Sequence, residues 1–414
     1  MAIVRPFKAL RPAPEYAEKV VSLPYDVMNR KEASEMAEGN PYSYLHICRA
    51  EIDMPEQENP YDRSVYEKAK SNIYDFLNRG IFIRESKPSF YIYRQIMDGR
   101  VQTGFVGCAS IDDYQNNIIK KHELTRHEKE VDRINHFDIC SADTEPVFFT
   151  YKQNPDLAAV ITEITKGKPE YDIVDGNGVA HILWVVGDSA VNAEIEKIFR
   201  EQIDALYIAD GHHRSASAVN VGMKRRGENP DYTGDEEFNY FMAVMFPDED
   251  LAVFDYNRVV KDLNGYTRED FLAKISEKFS VEKLSGSEPY RPEALHTFGM
   301  YLKDGWYKLT ALDGTFDESD PIESLDVSIL QANLLSPVLG IGDPRTDKRI
   351  DFVGGIRGLG ELERRVSVDM ELAFSLHPVT IAQLIAVADA GLLMPPKSTW
   401  FEPKLGSGLF IHEF

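Results

Sequence analysis

Apolar residues along the chain alternate between two spacings, one of three to four residues and one of two, and these mark out the elements. Val65, Tyr66, Ala69, Ile73, Phe76 and Leu77 recur at helical spacing, which puts one face of a helix on a core. Gly80 follows, free to take the left-handed stop. Shorter apolar runs read as strands: Ser89 to Arg94, Gly104 to Ile111, Phe148 to Tyr151 and His181 to Val186. A second helical stripe, Val191, Ile195, Ile198, Phe199 and Ile203, gives way to a short strand from Ala205 to Ala209, and a helix is expected from His212 toward Val221. Phe238 to Phe246 and Leu251 to Val260 read as paired strands around an acidic turn, and the densely charged stretch from Asn117 to Asn135 as a helix. Thr267 with Asp270 predicts a helix start that runs on through Phe271, Leu272, Ile275 and Phe279. Thr380 with Gln383 predicts another, stopped at Gly391 ahead of Pro395-Pro396. Glu51 to Pro60 is polar and reads as an exposed loop, and Gly354-Gly355 with Gly358 and Gly360 as a flexible one.

Strands and helices are therefore intermixed, which argues α/β or α+β. A length of 414 residues favours two or three domains. The division expected is an α/β region over 1–235, holding the Asp210 to Arg214 turn, and an α+β region with a C-terminal strap over 236–414.

Charge narrows the partners. With 46 basic and 68 acidic residues the formal net charge is -22, a surface that repels nucleic acid and anionic lipid unless a local basic patch overrides it. Neither a secretory leader nor a membrane-spanning apolar run is visible. Cys48, Cys108 and Cys140 are odd in number, far apart and without a C-x-x-C pair, as expected of reduced thiols in a cytoplasmic protein.

The densest chemistry is Asp210-Gly211-His212-His213-Arg214, followed by the small residues Ser215, Ala216, Ser217 and Ala218. A strand ends, a glycine permits a tight turn, and a helix begins, so unpaired backbone N–H groups and the helix dipole converge on one point. Arg214 adds a planar fork that fits phosphate or carboxylate oxygens. His212 and His213 titrate near neutrality, and Asp210 can orient a histidine or hold Mg²⁺. Asp210, Gly211, His213, Arg214 and Ser215 form the expected phosphate-binding set. The plainer alternative is two polar histidines at a helix start with a salt-bridged arginine.

Three other clusters accompany it. His122-Glu123 followed by His127 misses the zinc-protease spacing by one residue. On a helix, His122 and Arg126 would share one face, and Glu123 and His127 another. Asp26, in Pro24-Tyr25-Asp26, fits either a general base or a turn that bonds its own backbone. Pro395 to Lys404 carries Lys397 and Lys404 among prolines and aromatics, and Lys397 either closes over an anion or belongs to a strap that buries Trp400 and Phe401. No stretch has the spacing of a P-loop or a dinucleotide fingerprint.

The Gly211-His212-His213-Arg214 turn resembles the G-C-H-R turn of sulfiredoxins and the G-E-R-R turn of ParB-type partition proteins, and free-serine kinases of that superfamily resemble it too. The resemblance implies a ParB/sulfiredoxin-like mixed sheet element, with Gly211 at the glycine position and Arg214 at that of the phosphate-contacting arginine. His212 stands where sulfiredoxin has its catalytic cysteine, which excludes that activity. The acidity of the chain and the lack of a helix-turn-helix argue against DNA partition. A wider resemblance runs through Leu23-Pro24-Tyr25-Asp26-Val27, Lys121-His122-Glu123-Leu124-Thr125, Asp132-Arg133, Ile208 to Arg214 and Met394 to Phe401. These blocks resemble the family catalogued as domain of unknown function 1015, whose name implies no reaction. The expectation is a site for a small anion or a nucleotide (ATP or ADP) with Mg²⁺, in which His212 or His213 donates to developing charge and Asp26 or Glu123 deprotonates an acceptor. His122 joins these four as a candidate catalytic residue. A nucleotide-responsive regulator without catalysis, and a phosphoesterase using Asp210, His212 and His213 as metal ligands, are the alternatives.

Overall fold

A computed structural model describes residues 1–286 and 288–414. The chain is mixed α/β and divides into two compact units, Met1–Leu251 with Pro403–Phe414, and Ala252–Glu402.

The first unit is built on a nine-stranded mixed sheet. Its order is Ile119–Lys120, Leu206–Asp210, Val147–Tyr151, Tyr240–Pro247, Arg100–Ser110, Phe90–Met97, Ala180–Val186 and Tyr171–Val174, with Val4–Arg5 also paired to Arg100–Ser110. Leu206–Asp210 runs parallel to Ile119–Lys120 and antiparallel to Val147–Tyr151, while Val147–Tyr151 and Tyr240–Pro247 are parallel. Val147–Tyr151 is buried at every position, as expected for a strand covered on both faces. Helices Ser189–Gln202 and His212–Glu228 supply Ile195, Ile198, Phe199, Ala218, Val219 and Val221 to the core beside Phe149, Phe241 and Met245. A smaller sheet in the same unit orders Phe82–Arg84, Ala9–Pro12, Ile411–Glu413 and Ala142–Asp143, so a strand from the last residues pairs with one from the first.

The second unit is a six-stranded antiparallel sheet, ordered Phe279–Lys283, Gly305–Ala311, Thr297–Leu302, Leu372–Leu376, Tyr256–Val260 and Ile350–Gly354. Helix Gly360–Val368 packs Leu362 and Val366 against Val259, Val353 and Ala373.

The sequence pattern misleads in four places. The run read as a helix over 117–135 is a helix only from His127, so His122 and Glu123 lie on a loop. The runs read as one hairpin, 238–246 and 251–260, part company. Tyr240–Pro247 pairs with Arg100–Ser110 and Val147–Tyr151 in the first unit, and Tyr256–Val260 pairs within the second. That first pairing also carries the first unit beyond the boundary expected at 235, to Leu251. Phe279 opens a strand instead of continuing helix Arg268–Ile275. The Gly354 to Gly360 run is a strand end, a 3-10 turn and a helix start, with Gly354 against Trp400 and Gly355 against Asp255, where a Cβ has no room.

Candidate functional site

Strand Leu206–Asp210 delivers the turn, and Gly211 makes it with φ 90° and ψ 33°. A Cβ at Gly211 would sit 3.0 Å from Arg214 Nε and from Val147 Cγ1, so both conformation and space call for glycine. Helix His212–Glu228 starts at once, and the first intrahelical bond accounted for there runs from Ser215 N to Gly211 O, 2.9 Å. The amides of His212, His213 and Arg214 thus form the helix's open N-terminus.

Arg214 is buried, 3 % exposed. Its Nη1 donates to Pro146 O at 2.5 Å, its Nη2 lies 3.9 Å from Asp210 Oδ2, and its Nε has no hydrogen-bond partner among the described residues. Burial works against its charge, but Asp26 first, then Asp210 and Glu145, more than offset that and hold it protonated. Asp210 accepts from its neighbour Gly211 N at 2.8 Å and from Lys404 Nζ at 3.0 Å. Burial pushes its carboxyl up, and Lys404 and Arg214 together bring it far below the usual carboxylate range.

The two histidines hold a loop. His212 Nε2 faces His122 N at 3.5 Å, and His213 Nε2 accepts from Arg126 N at 2.9 Å. Adjacent residues on a helix point to different sides, and here each takes an amide from the 122–126 segment, which is why that segment is not helical. Both contacts need a neutral ring with an unprotonated Nε2. Burial, its largest cause at each, shifts both rings toward the neutral form. The Nε2 atoms are therefore acceptors for the loop, not the donors to an anion that the sequence suggested. His122 packs edge-on against His212, ring centres 4.5 Å apart. Burial pushes it down to about 4, and neither of its ring nitrogens has a hydrogen-bond partner among the described residues. Glu123 Oε2 lies 3.7 Å from His212 Nδ1.

Asp26 sits in a 3-10 turn, Tyr25–Val27, with its carboxylate exposed. It makes no hydrogen bond or ion pair among the described residues, and its charge acts on Arg214, His213 and Tyr25. Behind it, Tyr25 lies under Arg133, whose guanidinium is 3.9 Å from the ring centre. Arg133 pairs with Asp132 at 2.9 Å and reaches to 3.8 Å from Glu145 Oε2. Glu145 Oε1 accepts from Tyr25 N at 3.1 Å and Ser407 Oγ at 3.0 Å. Burial raises the Glu145 carboxyl, and Arg214 and Arg133 offset only part of that.

The fold thus brings Asp26, His122, Glu123, Asp210, Gly211, His212, His213 and Arg214 together. Ser215 is at the turn, but its hydroxyl donates back to Gly211 O at 3.1 Å. Lys397 belongs to the second unit, where its Nζ lies 5.3 Å from the Tyr256 ring centre and its carbonyl accepts from Arg258. The lysine on Asp210 is Lys404. Sequence reasoning noticed it only as part of the strap, and it missed Glu145 entirely, because nothing local marks a residue that joins a site through a distant contact. Among the described residues no group of three or more His, Cys, Asp or Glu is arranged to hold a metal ion. The triad of Asp210, His212 and His213 fails because both histidine Nε2 atoms face amides. Two open clefts of the first unit, about 370 Å³ beside Arg63, Lys70 and Lys224 and about 520 Å³ beside Asp156, Glu163 and Lys197, contain no residue of the turn. Most of the charges lining the first are paired with one another, Arg63 with Glu67 and both Lys224 and Arg225 with Asp138.

Residues 4–328 match the model of a family described as protein of unknown function, DUF1015. No curated protein matches. Among solved structures, the chain is similar to a free serine kinase in complex with AMP, at 14 % identity and TM-score 0.34, over 77 % of this chain and 92 % of that one. It is also similar to SbnI with C-terminal truncation from Staphylococcus aureus, at 11 % identity and TM-score 0.38, over 74 % and 87 %. A conserved hypothetical protein from Pyrococcus furiosus matches at 13 % identity and TM-score 0.33, over 72 % and 94 %. Scores this low leave function to be argued from the site itself.

Proposed function

The chain belongs to the DUF1015 family, and from that premise we propose that it binds the phosphates of a nucleotide at the Asp210 to Arg214 turn and transfers a phosphoryl group to a small hydroxyl compound. The observation that carries this is the buried Arg214 guanidinium, its Nε without a partner, beside the open N-terminus of helix His212–Glu228. Backbone N–H groups and a fixed guanidinium together suit phosphate oxygens.

The carboxylates of Asp26 and Asp210 beside these cations favour phosphate accompanied by a divalent cation over a bare anion. Mg²⁺ is commonly held by one or two carboxylates plus substrate phosphates and water, so no all-protein cage is needed. Asp210 would hold it, leaving Asp26 as the base, and it would neutralise charge on the phosphates. In the transfer, the acceptor oxygen forms a bond to the terminal phosphorus as the bond to the bridging oxygen breaks. The nucleotide, shortened by one phosphate, leaves with that oxygen, and the acceptor proton passes to the exposed Asp26 carboxylate. Arg214 and the amides stabilise charge on the transferring group. The histidines keep the 122–126 loop in place, with Glu123 at its edge. Three buried cysteines without disulfides fit a reducing compartment such as the cytoplasm. No helix among the described residues is long and apolar enough to cross a membrane.

Thermal shifts with ATP, ADP, CTP, GTP and Mg²⁺ on wild type, Arg214→Lys and Arg214→Ala test the reading. A nucleotide that binds only the folded state raises its melting temperature. Stabilisation of wild type that Arg214→Ala abolishes supports it. No shift of wild type at millimolar nucleotide overturns it. Binding without transfer to any hydroxyl acceptor, serine included, would leave a nucleotide-responsive regulator.

A further inference from the structure

The segment that follows the second unit returns to the first and puts Lys404 Nζ 3.0 Å from Asp210 Oδ2. Its backbone is fastened at that residue and just beyond it by buried polar side chains. Gln95 Nε2 donates to Lys404 O at 2.8 Å, and Gln102 Nε2 donates to Gln95 Oε1 at 2.9 Å. Two residues on, Gly406 N donates to Tyr93 Oη at 3.2 Å. With that oxygen accepting, the Tyr93 hydroxyl donates to His181 Nδ1 at 2.5 Å, and His181 Nε2 faces Asp175 at 3.4 Å. Ser407 exchanges backbone hydrogen bonds with Ser22, 2.9 and 3.1 Å, and its hydroxyl donates to Glu145.

Tyr93, Gln95, Gln102 and His181 are each no more than 1 % exposed. His181 and Gln102 stand opposite Gln95 in the ladder. A sheet face that only had to be buried would carry apolar residues there, because an imperfectly matched buried amide or imidazole is costly. Gly406 has no room for a side chain, since a Cβ would lie 2.9 Å from Val21 and 3.0 Å from His181. What this network accomplishes is the placement of one backbone segment, and the side chain so placed is the Lys404 ammonium.

We propose that Lys404 is an anion-contacting residue of the turn, its ammonium passing from Asp210 to a phosphate oxygen when ligand binds, and that Gln95 and Tyr93 are its positioning residues. The inference rests on the phosphate-binding reading above and adds to it a cation supplied from beyond the second unit.

Calorimetric titration with two probes, ADP plus Mg²⁺ and inorganic pyrophosphate, tests it on the full chain. Loss of a charged hydrogen bond predicts that Lys404→Ala binds both at least about ten-fold more weakly. Lys404→Arg restores binding to within about three-fold, a rescue that a packing role would not give. Tyr93→Phe keeps the ring, frees the Gly406 amide and weakens binding about two- to five-fold, with circular dichroism unchanged. Where Lys404→Ala fails to fold, Lys404→Met keeps the stem and reads the same way. Wild-type affinity in Lys404→Ala alongside lost binding in Arg214→Ala overturns this inference alone. Failure of wild type to bind either probe overturns the phosphate reading and this inference with it.

Discussion

Gly211 has no substitute that is both flexible enough and small enough. Alanine there must hold φ 90° and place a methyl group against Arg214 and Val147. Strain of that kind costs about 1–3 kcal/mol. Gly211→Ala should lower unfolding stability by that order in denaturant titration and weaken phosphate binding as Arg214 is pushed aside. Unchanged stability would mean the turn is looser than described. His213 carries a pH signature. Its folded pKa lies below the ordinary value, burial being the main cause, so between about 6.5 and that lower value the unfolded chain binds the extra proton. The contribution of His213 is then complete above about pH 6.5 and fades as pH falls. The stability difference between wild type and His213→Ala should be largest at about pH 7.5 and shrink toward about pH 5. A difference that is flat with pH would show that the Arg126 amide does not depend on a neutral ring.

Elements with a helical stripe or a side-chain cap were legible in the sequence. Helix Arg63–Asn78 buries Val65, Ala69, Ile73 and Phe76 as spaced, and the Thr380–Gln383 capping box forms as read. Thr380→Ala should cost about 0.5–2 kcal/mol in the second unit, seen as a lower melting transition, and no loss would mean that Gln383 alone supplies the cap. The misreadings share one cause, which is that local pattern does not report a distant partner. Residues 117–135 have helical charge spacing, yet the amides of His122 and Arg126 turn to rings almost ninety residues away along the chain. Tyr240–Pro247 and Tyr256–Val260 are near in sequence, but the first already has two neighbours in its own sheet. The site shows the same division. Asp26, His122, Glu123 and the Asp210 to Arg214 turn announce themselves by residue type, whereas Lys404 and Glu145 acquire meaning only from the fold. Lys397 looked equivalent to Lys404 in a segment rich in proline and aromatics, and only the path of the backbone separates them.

At the scale of the molecule, the last strand closes the first unit. His412 is buried between Asp143 at 3.1 Å and Glu237 at 2.9 Å. Burial opposes its charge, but Cys108 first, then Asp143 and Glu237, raise its pKa well above the ordinary value. A histidine whose folded pKa is raised stabilises fully below its unfolded value and loses that stabilisation as pH climbs. His412→Asn should therefore destabilise the first unit much more at about pH 6 than at about pH 9 in calorimetry, the opposite trend to His213→Ala. Equal losses at both would mean His412 is neutral in the fold.

The path of the chain also sets a timetable for synthesis. Most of the first unit emerges from the ribosome early, but its small sheet lacks Ile411–Glu413 and Asp210 lacks Lys404 until residues 252–402 have been made. At about 5–20 residues per second, that interval is on the order of ten seconds. Through it the nascent chain carries an open strand edge and a carboxylate that lacks one of its two cations, the kind of surface that chaperones hold and proteases find.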